Sequence, residues 1–555
     1  MRFLRASDTA LLVEVEDPME VTRLGAAWSE VPGVTELIPG AQTVLVRFDP
    51  SRFSDAQLVD ALSTARTGAH SSVAGPEVSI PVRYDGEDLD EVADLLSVSV
   101  DTLIERHLNA QWRVAFCGFA PGFGYATCTD PLFDVPRRSS PRTRVPAGAV
   151  GLAGPFTSVY PRDSPGGWQL IGHTDAVMWD IDRDPPALVA PGTVITFEQQ
   201  RPVAVVTSTP NTSGRTGELF DGLEDDPVAS EVGGPASGSG PEVTVRETWR
   251  PDPVLASLRV IHPGIRALIQ DGGRPGHAAM GVSGAGAADR TALSQANRAV
   301  GNLPTAAVLE CTGAVHMEYR GLPGVAAVAG AQGTGELVSS DGTVRPILQG
   351  VPFAIDDGDE LSLSHPTHGL RYVIAVRGGL LARPALGSVS SDTLAGLGPG
   401  PLEAGDCVVV GDPRHAPAVV EPLGITRDLP RSGETVDVMI TLGPRDDWFT
   451  PEAVAALTAQ EWLVGTRSDR VGLRLEGTVP LDRRIEGELP SEGTVTGAIQ
   501  VPPDGQPVLF LPDHPLTGGY PVIGAVVAEH LDLVGQLPPG ARIRFRLRPE
   551  ENFGG

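Results

Sequence analysis

Three segments recur in the same order in the two halves of this 555-residue chain. Gly148-Ala149-Val150 is followed by GGWQLIG (Gly166 to Gly172) and PGTVITF (Pro191 to Phe197). Far downstream, Gly497-Ala498-Ile499 is followed by GGYPVIG (Gly518 to Gly524) and PGARIRF (Pro539 to Phe545). Short apolar runs broken by Gly and Pro at matched spacing predict one β-barrel module present twice. The rear copy contains SEGTVTGAIQVPPDGQPVLFLPDHPLTGGYP (Ser491 to Pro521), where Pro502-Pro503-Asp504-Gly505 makes a tight turn between two short strands. The glycine frame shared by the copies reads as scaffold. Glu492, Gln500, Gln506 and Asp513 have no counterpart in the front copy and, with Thr517, are the candidate ligand contacts of this rim.

A chain of this length exceeds one hydrophobic core, so several domains are expected. Residues 1–82 read as strand, helix, two strands and helix, with a last strand at Val78 to Val82, a ferredoxin-like α+β unit. Ser54 with Gln57 forms a capping box for its second helix. Residues 83–210 hold the first barrel, and 211–255, rich in Gly, Ser, Pro and acid, read as a linker. Residues 256–425 form a β unit in which Asp289 caps a helix, and 426–550 hold the second barrel. The fold class is therefore mainly β with an α+β N-terminal domain.

Charge narrows the partners. The formal net charge of -28 argues against nucleic acid and anionic membrane. No apolar run approaches the ~18 to 20 residues of a membrane span, and acids interrupt the N-terminal apolar run, so a cytoplasmic location is expected. All 42 basic residues are Arg. Without Lys the chain has no biotinyl-lysine, no Schiff-base lysine and no GxxxxGK[ST] phosphate loop, and any carboxylate or phosphate must meet Arg. The four cysteines form no CxxC pair and read as buried thiols.

The longer motifs point to a family. GFAPGF (Gly118 to Phe123), the PRR loop (Pro136 to Arg138), VPAGAV and YPRDSPGGWQLIGHT (Tyr160 to Thr174) resemble allophanate hydrolase subunit 1, the KipI-like family that includes the B subunits of 5-oxoprolinase. HPGIRALIQDGGRPG, SDRVGLRLEG (Ser468 to Gly477), GAIQVPPDGQP and TGGYP resemble allophanate hydrolase subunit 2, the KipA-like family that includes the C subunits of 5-oxoprolinase. The resemblance implies cyclophilin-like β-barrels in both halves. It also implies a component of an oligomeric complex that opens the lactam 5-oxoproline (pyroglutamate) to glutamate, using ATP and Mg2+ and a separate 5-oxoprolinase A protein (LamB/YcsF-like). Two alternatives stay open under it: the carboxyltransferase module of a urea-type carboxylase, which here needs a separate biotin carrier, and a regulator that binds a histidine kinase.

Such chemistry needs groups that orient the lactam and cations or donors for phosphate. Arg137, Arg138, Arg274 and Arg470 are the candidate anion binders. Asp271, Asp289, Asp469 and Glu492 are candidates to orient an amide N-H or hold magnesium, with Asp289, Asp469 and Glu492 as catalytic groups. Arg470 beside Asp469 reads equally as an ion pair closing a loop. His107, as a catalytic acid or base, and His173, as a binding group, are imidazoles that also read as hydrogen-bonded structural residues. Gly118 and Gly122 either let a ligand approach the backbone or simply form turns. His365-x-x-His368 lacks a third metal ligand, and no protein-held metal site is expected.

Overall fold

The computed structural model describes residues 1–16, 18–66, 75–138, 140–200, 254–416, 427–487 and 489–549. Residues 211–253 of the expected linker lie outside them, as do 201–210 and 417–426 at the ends of two of the expected units.

The N-terminal sheet has four antiparallel strands in the order Arg2–Ser7, Ala10–Glu14, Thr43–Phe48, Val34–Pro39. Helices Pro18–Trp28 and Asp55–Arg66 cover one face, packing Leu24, Trp28, Leu58 and Leu62 on Leu11, Val13, Val44 and Val46. The opposite face, with Ala10, Leu12, Leu45 and Ile38, packs on Ala498, Phe510 and Val522 of the rear barrel. Burial on both faces explains why ALLVEV and TVLVRF are nearly continuous apolar runs. Two details differ from the sequence expectation. Arg2–Ser7 adds a first strand, and the strand Glu77–Val82 leaves this unit to pair in parallel with Val194–Gln199 of the front barrel.

The recurrence in sequence is a recurrence in topology. The front sheet runs Gln169–His173, Ala149–Ala153, Phe156–Val159, Gly124–Thr127, Trp112–Cys117, Val194–Gln199, Glu77–Val82. The rear barrel runs Val522–Val526, Ala498–Gln500, Val508–Phe510, Gly472–Glu476, Trp462–Val464, Arg542–Leu547, Thr435–Leu442, strand for strand the same order. In each, the last two strands of that order are parallel. The rear sheet closes fully, whereas the front sheet is joined at its edge by the single pair Arg83 and His173. Inward residues such as Val114, Val150 and Ile195 in front, and Leu473, Ile499 and Ile543 in the rear, fill the two interiors.

Between the barrels lies a sandwich of a seven-stranded and a five-stranded sheet around one core that includes Leu258, Leu309, Met317 and Ile374. Helix Arg290–Ala299 sets Ala292, Leu293 and Ala296 on the outer face of the five-stranded sheet. Asp289 caps it as expected, accepting from Ala292 N at 2.8 Å.

Candidate functional site

Two adjacent strands of the five-stranded sheet each carry a lone charge in an apolar run: Val308–Thr312 (VLECT) carries Glu310, and His368–Val376 (HGLRYVIAV) carries Arg371. A buried charge needs a partner or it costs several kcal/mol, on the order of 3 to 5. Here the partner comes from the rear barrel. Arg470, on the loop before Gly472–Glu476, donates to Glu310, and through Nε and Nη2 to both oxygens of Asp513 at 3.1 Å. Its Nη2 also donates to the Gly286 carbonyl at 2.6 Å. Glu310 takes the Ala288 N-H at 2.8 Å and has Arg371 Nε at 3.5 Å, while Asp513 takes the Thr393 N-H and hydroxyl at 2.9 and 2.7 Å. Burial alone would depress the Arg470 pKa, but its two carboxylates outweigh that and raise it. Arg371, with less compensation, is pushed down by burial.

This cluster forms one wall of a cavity of about 250 Å³ between the sandwich and the rear barrel. Arg266, Thr312, Thr466, Ser468 and Asp469 complete its polar lining. Arg266 has no hydrogen-bonding or ionic side-chain partner among the described residues, so its guanidinium is available at the cavity. Asp469 accepts the Val471 and Gly472 N-H groups at 2.9 and 3.1 Å, which shapes the loop that delivers Arg470. With Asp513 held on Arg470, three guanidiniums meet three carboxylates, and the one cation of the lining without a paired carboxylate among the described residues is Arg266. A small carboxylate or other oxyanion fits that charge.

The structure places the other sequence candidates apart from this cavity. His107 is fully buried, with Nδ1 at 2.8 Å from Tyr84 Oη, Nε2 at 3.2 Å from Thr157 Oγ1, and Trp112 and Phe197 around the ring. Burial drives its pKa down to about 3, and the ring sits as a neutral, hydrogen-bonded core residue. Its ring is expected to stay neutral from about pH 8 to about pH 5 in an NMR titration. The sign is clear: the unfolded chain gains a proton near pH 6.5 and the folded one does not. Burial of His107 therefore subtracts about 1.4 kcal/mol of stability per pH unit as pH falls from about 6.5 toward its folded value. His173 is half-buried at the barrel edge, 3.6 Å from Asp175.

Several expected ligand contacts are contacts within the chain instead. A Cβ on Gly118 would lie 2.2 Å from Thr517 Oγ1, and Gly122 N donates to Met280 O at 3.0 Å, so these glycines admit the rear half and not a ligand. Arg137 lies by the backbone of Gly519 and the rings of Tyr125 and Tyr160. Arg138 donates to Asp88 at 2.6 Å. Asp271 accepts from Ser388, Val389, Ser390 and Gly273, and Arg274 holds the Ala385 and Ser390 carbonyls, so both shape one loop. Gln500 donates to Tyr520 O at 3.2 Å and Gln506 accepts from Gly477 N at 2.8 Å. Asp289 is fully buried, its Oδ2 taken by Gln536 and Arg427; burial raises its pKa.

Glu492 opens a second cavity, of about 620 Å³, where the N-terminal unit meets the rear barrel. Arg445 grips both its carboxylate oxygens and reaches Glu14 across the junction. Burial raises the Glu492 pKa, with Arg445 opposing. Among the described residues, no group of three His, Cys, Asp or Glu side chains is placed to hold a metal ion, and no helix is long and apolar enough to cross a membrane. Glu310, Arg371, Arg445 and Glu14 are invisible to motif reading because none sits in a motif. For Glu310 and Arg371 the available signal is a single charge inside an apolar strand; Arg445, on the loop after Thr435–Leu442, and Glu14, at a strand end, offer none.

Residues 280–547 match the family model described as carboxyltransferase domain, subdomain A and B, and residues 1–189 match carboxyltransferase domain, subdomain C and D. The chain is 38% identical over 208 residues to the B subunit of 5-oxoprolinase from Escherichia coli O157:H7, covering 35% of this chain and 94% of that protein. It is 32% identical over 292 residues to the C subunit of 5-oxoprolinase from Escherichia coli (strain K12), covering 52% of this chain and 90% of that protein. The crystal structure of TTHA0988 superposes with a TM-score of 0.77 at 32% identity, covering 97% of this chain and 99% of that one.

Proposed function

We propose that this chain, which belongs to the carboxyltransferase-domain family of the 5-oxoprolinase B and C proteins and joins a counterpart of each in one polypeptide, is the B/C component of an ATP-dependent 5-oxoprolinase. The carrying observation is that two relatives, each covered almost end to end, bear the names of two subunits of one enzyme. The 250 Å³ cavity supports the reading, since it is small and presents the guanidinium of Arg266 to a lactam that bears a carboxylate. In this reading Arg266 meets that carboxylate, and the hydroxyls of Thr312 and Ser468 orient the ring amide.

The chemistry follows from amide resonance, which makes the lactam carbonyl a poor electrophile. ATP donates its γ-phosphoryl group to the lactam oxygen and leaves as ADP. One water then adds to the carbonyl carbon and the C-N bond breaks with a proton going to nitrogen, which leaves an acyl phosphate; a second water attacks the acyl carbon and releases phosphate with the original lactam oxygen. Electrostatic stabilisation of the oxygens is the main catalytic demand. The LamB/YcsF-like A protein completes the assembly. Magnesium would enter with the nucleotide and neutralise part of its phosphate charge.

The carboxyltransferase description of the matched models favours a second reading, carboxyl transfer to a urea-like acceptor. With no Lys in the chain, that reaction depends on a biotin carrier supplied by another protein. The assay that separates the two combines the chain, its LamB/YcsF-like partner, ATP and Mg2+ and follows glutamate. Glutamate should form only with 5-oxoproline present, and Arg266→Gln should raise KM by about tenfold or more with kcat nearly kept. No glutamate from the complete mixture sinks the proposal.

A further inference from the structure

The cavity beside Arg470 has room for the lactam but not for the nucleotide as well. At about 250 Å³ it falls below the ~300 to 1,000 Å³ of pockets that enclose drug-sized ligands, and a nucleoside triphosphate is several times larger than 5-oxoproline. A larger cavity, of about 860 Å³, lies between the front barrel and the sandwich, on the other side of the sheet. Leu268 lines the small cavity and its neighbour Ile269 the large one, and successive residues of a strand point to opposite faces. A phosphoryl group therefore reaches the lactam only through the mouth of the small cavity, from outside the chain.

At that mouth the stretch Ile261-His262-Pro263-Gly264-Ile265 connects strands Ala256–His262 and Arg266–Gln270. Gly264, at a φ of 76°, donates its N-H to His262 Nδ1 at 3.1 Å, and Ile265 N donates to Thr312 O at 2.8 Å, so the backbone is fixed. It nevertheless leaves Ile265 76% exposed on the cavity rim and Ile261 37% exposed. Apolar side chains held out on a fixed backbone beside a site mark a contact surface. Charge points the same way. Arg467 stands exposed between Thr466 and Ser468, which line the cavity, and like Arg266 has no hydrogen-bonding or ionic side-chain partner among the described residues. On a chain of net charge -28, two such guanidiniums at one mouth draw an anion there. We infer that this rim docks the nucleotide-carrying protein of the complex, which seats on Ile261 and Ile265 and brings its triphosphate past Arg467 to the lactam held at Arg266. The identity of that partner, the LamB/YcsF-like protein, rests on the function proposed above.

The purified partner, loaded with a non-hydrolysable ATP analogue, is titrated into the full chain without 5-oxoproline, and affinity is read by biolayer interferometry. A saturable complex is expected, weakened about tenfold or more by Ile265→Asp and by Ile261→Asp. Val177→Asp, at a 59% exposed position of the front barrel, should leave it unchanged. Thermal unfolding checks the fold of each variant, and ATP titrated into the chain alone should show no saturable binding. Absence of a complex, wild-type affinity in both folded isoleucine variants, equal loss in Val177→Asp, or saturable ATP binding by the chain alone would overturn the inference. A complex that forms with the expected losses yet yields no glutamate in the complete assay supports the docking surface while sinking the reaction.

Discussion

Arg470→Ala is expected to lower the stability of the rear half by about 3 to 5 kcal/mol, the usual result of removing one partner from a buried ion pair. The substitution strands Asp513, Glu310 and the Gly286 carbonyl in the interior. Asp513 keeps only its bonds from Thr393, and Glu310 keeps Ala288 and the longer Arg371 contact. Arg470→Lys should recover less than half the loss, because a point charge cannot hold both Asp513 oxygens and also reach Glu310. Urea denaturation followed on the rear-half transition gives the measurement. A loss under about 1 kcal/mol would show that the cluster contributes little beyond apolar packing of the same volume.

The second large effect concerns assembly. Gly118→Val should separate the front and rear halves once the chain is cut within residues 211–247, whereas the cut wild type should still elute as one particle. Gly118 does not adopt the left-handed backbone that excludes other residues, so the clash with Thr517 is what a side chain there meets. Overpacking of this kind costs about 1 to 3 kcal/mol, and here the whole cost falls on the contact between halves. The apolar face of the N-terminal sheet on the rear barrel, and ion pairs such as Arg445 with Glu14 and Arg383 with Asp182, remain, so the separation is read at low protein concentration. Co-elution of the cut variant, or separation of the cut wild type, would contradict this account of the junction.

What the sequence made legible follows the range of the forces involved. The barrels were readable because glycine turns and apolar strands are local, and the recurrence of GGWQLIG as GGYPVIG carried through to an identical strand order. The caps at Asp289 and at Ser54 with Gln57 were readable for the same reason. Partner choice was not local. Val78 to Val82 follows its helix in the sequence yet pairs with Val194–Gln199, more than a hundred residues away. His107 lies four residues after Leu103 on the buried face of its helix, a sign of core position that its chemistry obscured. Gly118 and Thr517 read as ligand contacts because close backbone approach leaves the same mark whether the visitor is a ligand or another part of the chain. Of the rim's polar candidates, Glu492 borders a cavity and Asp513 anchors Arg470, while Gln500 and Gln506 hold backbone.

The most direct test of the proposed reaction follows the lactam oxygen itself. With 5-oxoproline carrying oxygen-18 at the ring carbonyl, the chain, its LamB/YcsF-like partner, ATP and Mg2+ should release phosphate that contains the label, while the new carboxylate of glutamate takes both its oxygens from water. Glutamate that keeps the label, with unlabelled phosphate, would contradict activation at the lactam oxygen followed by attack of water at carbon.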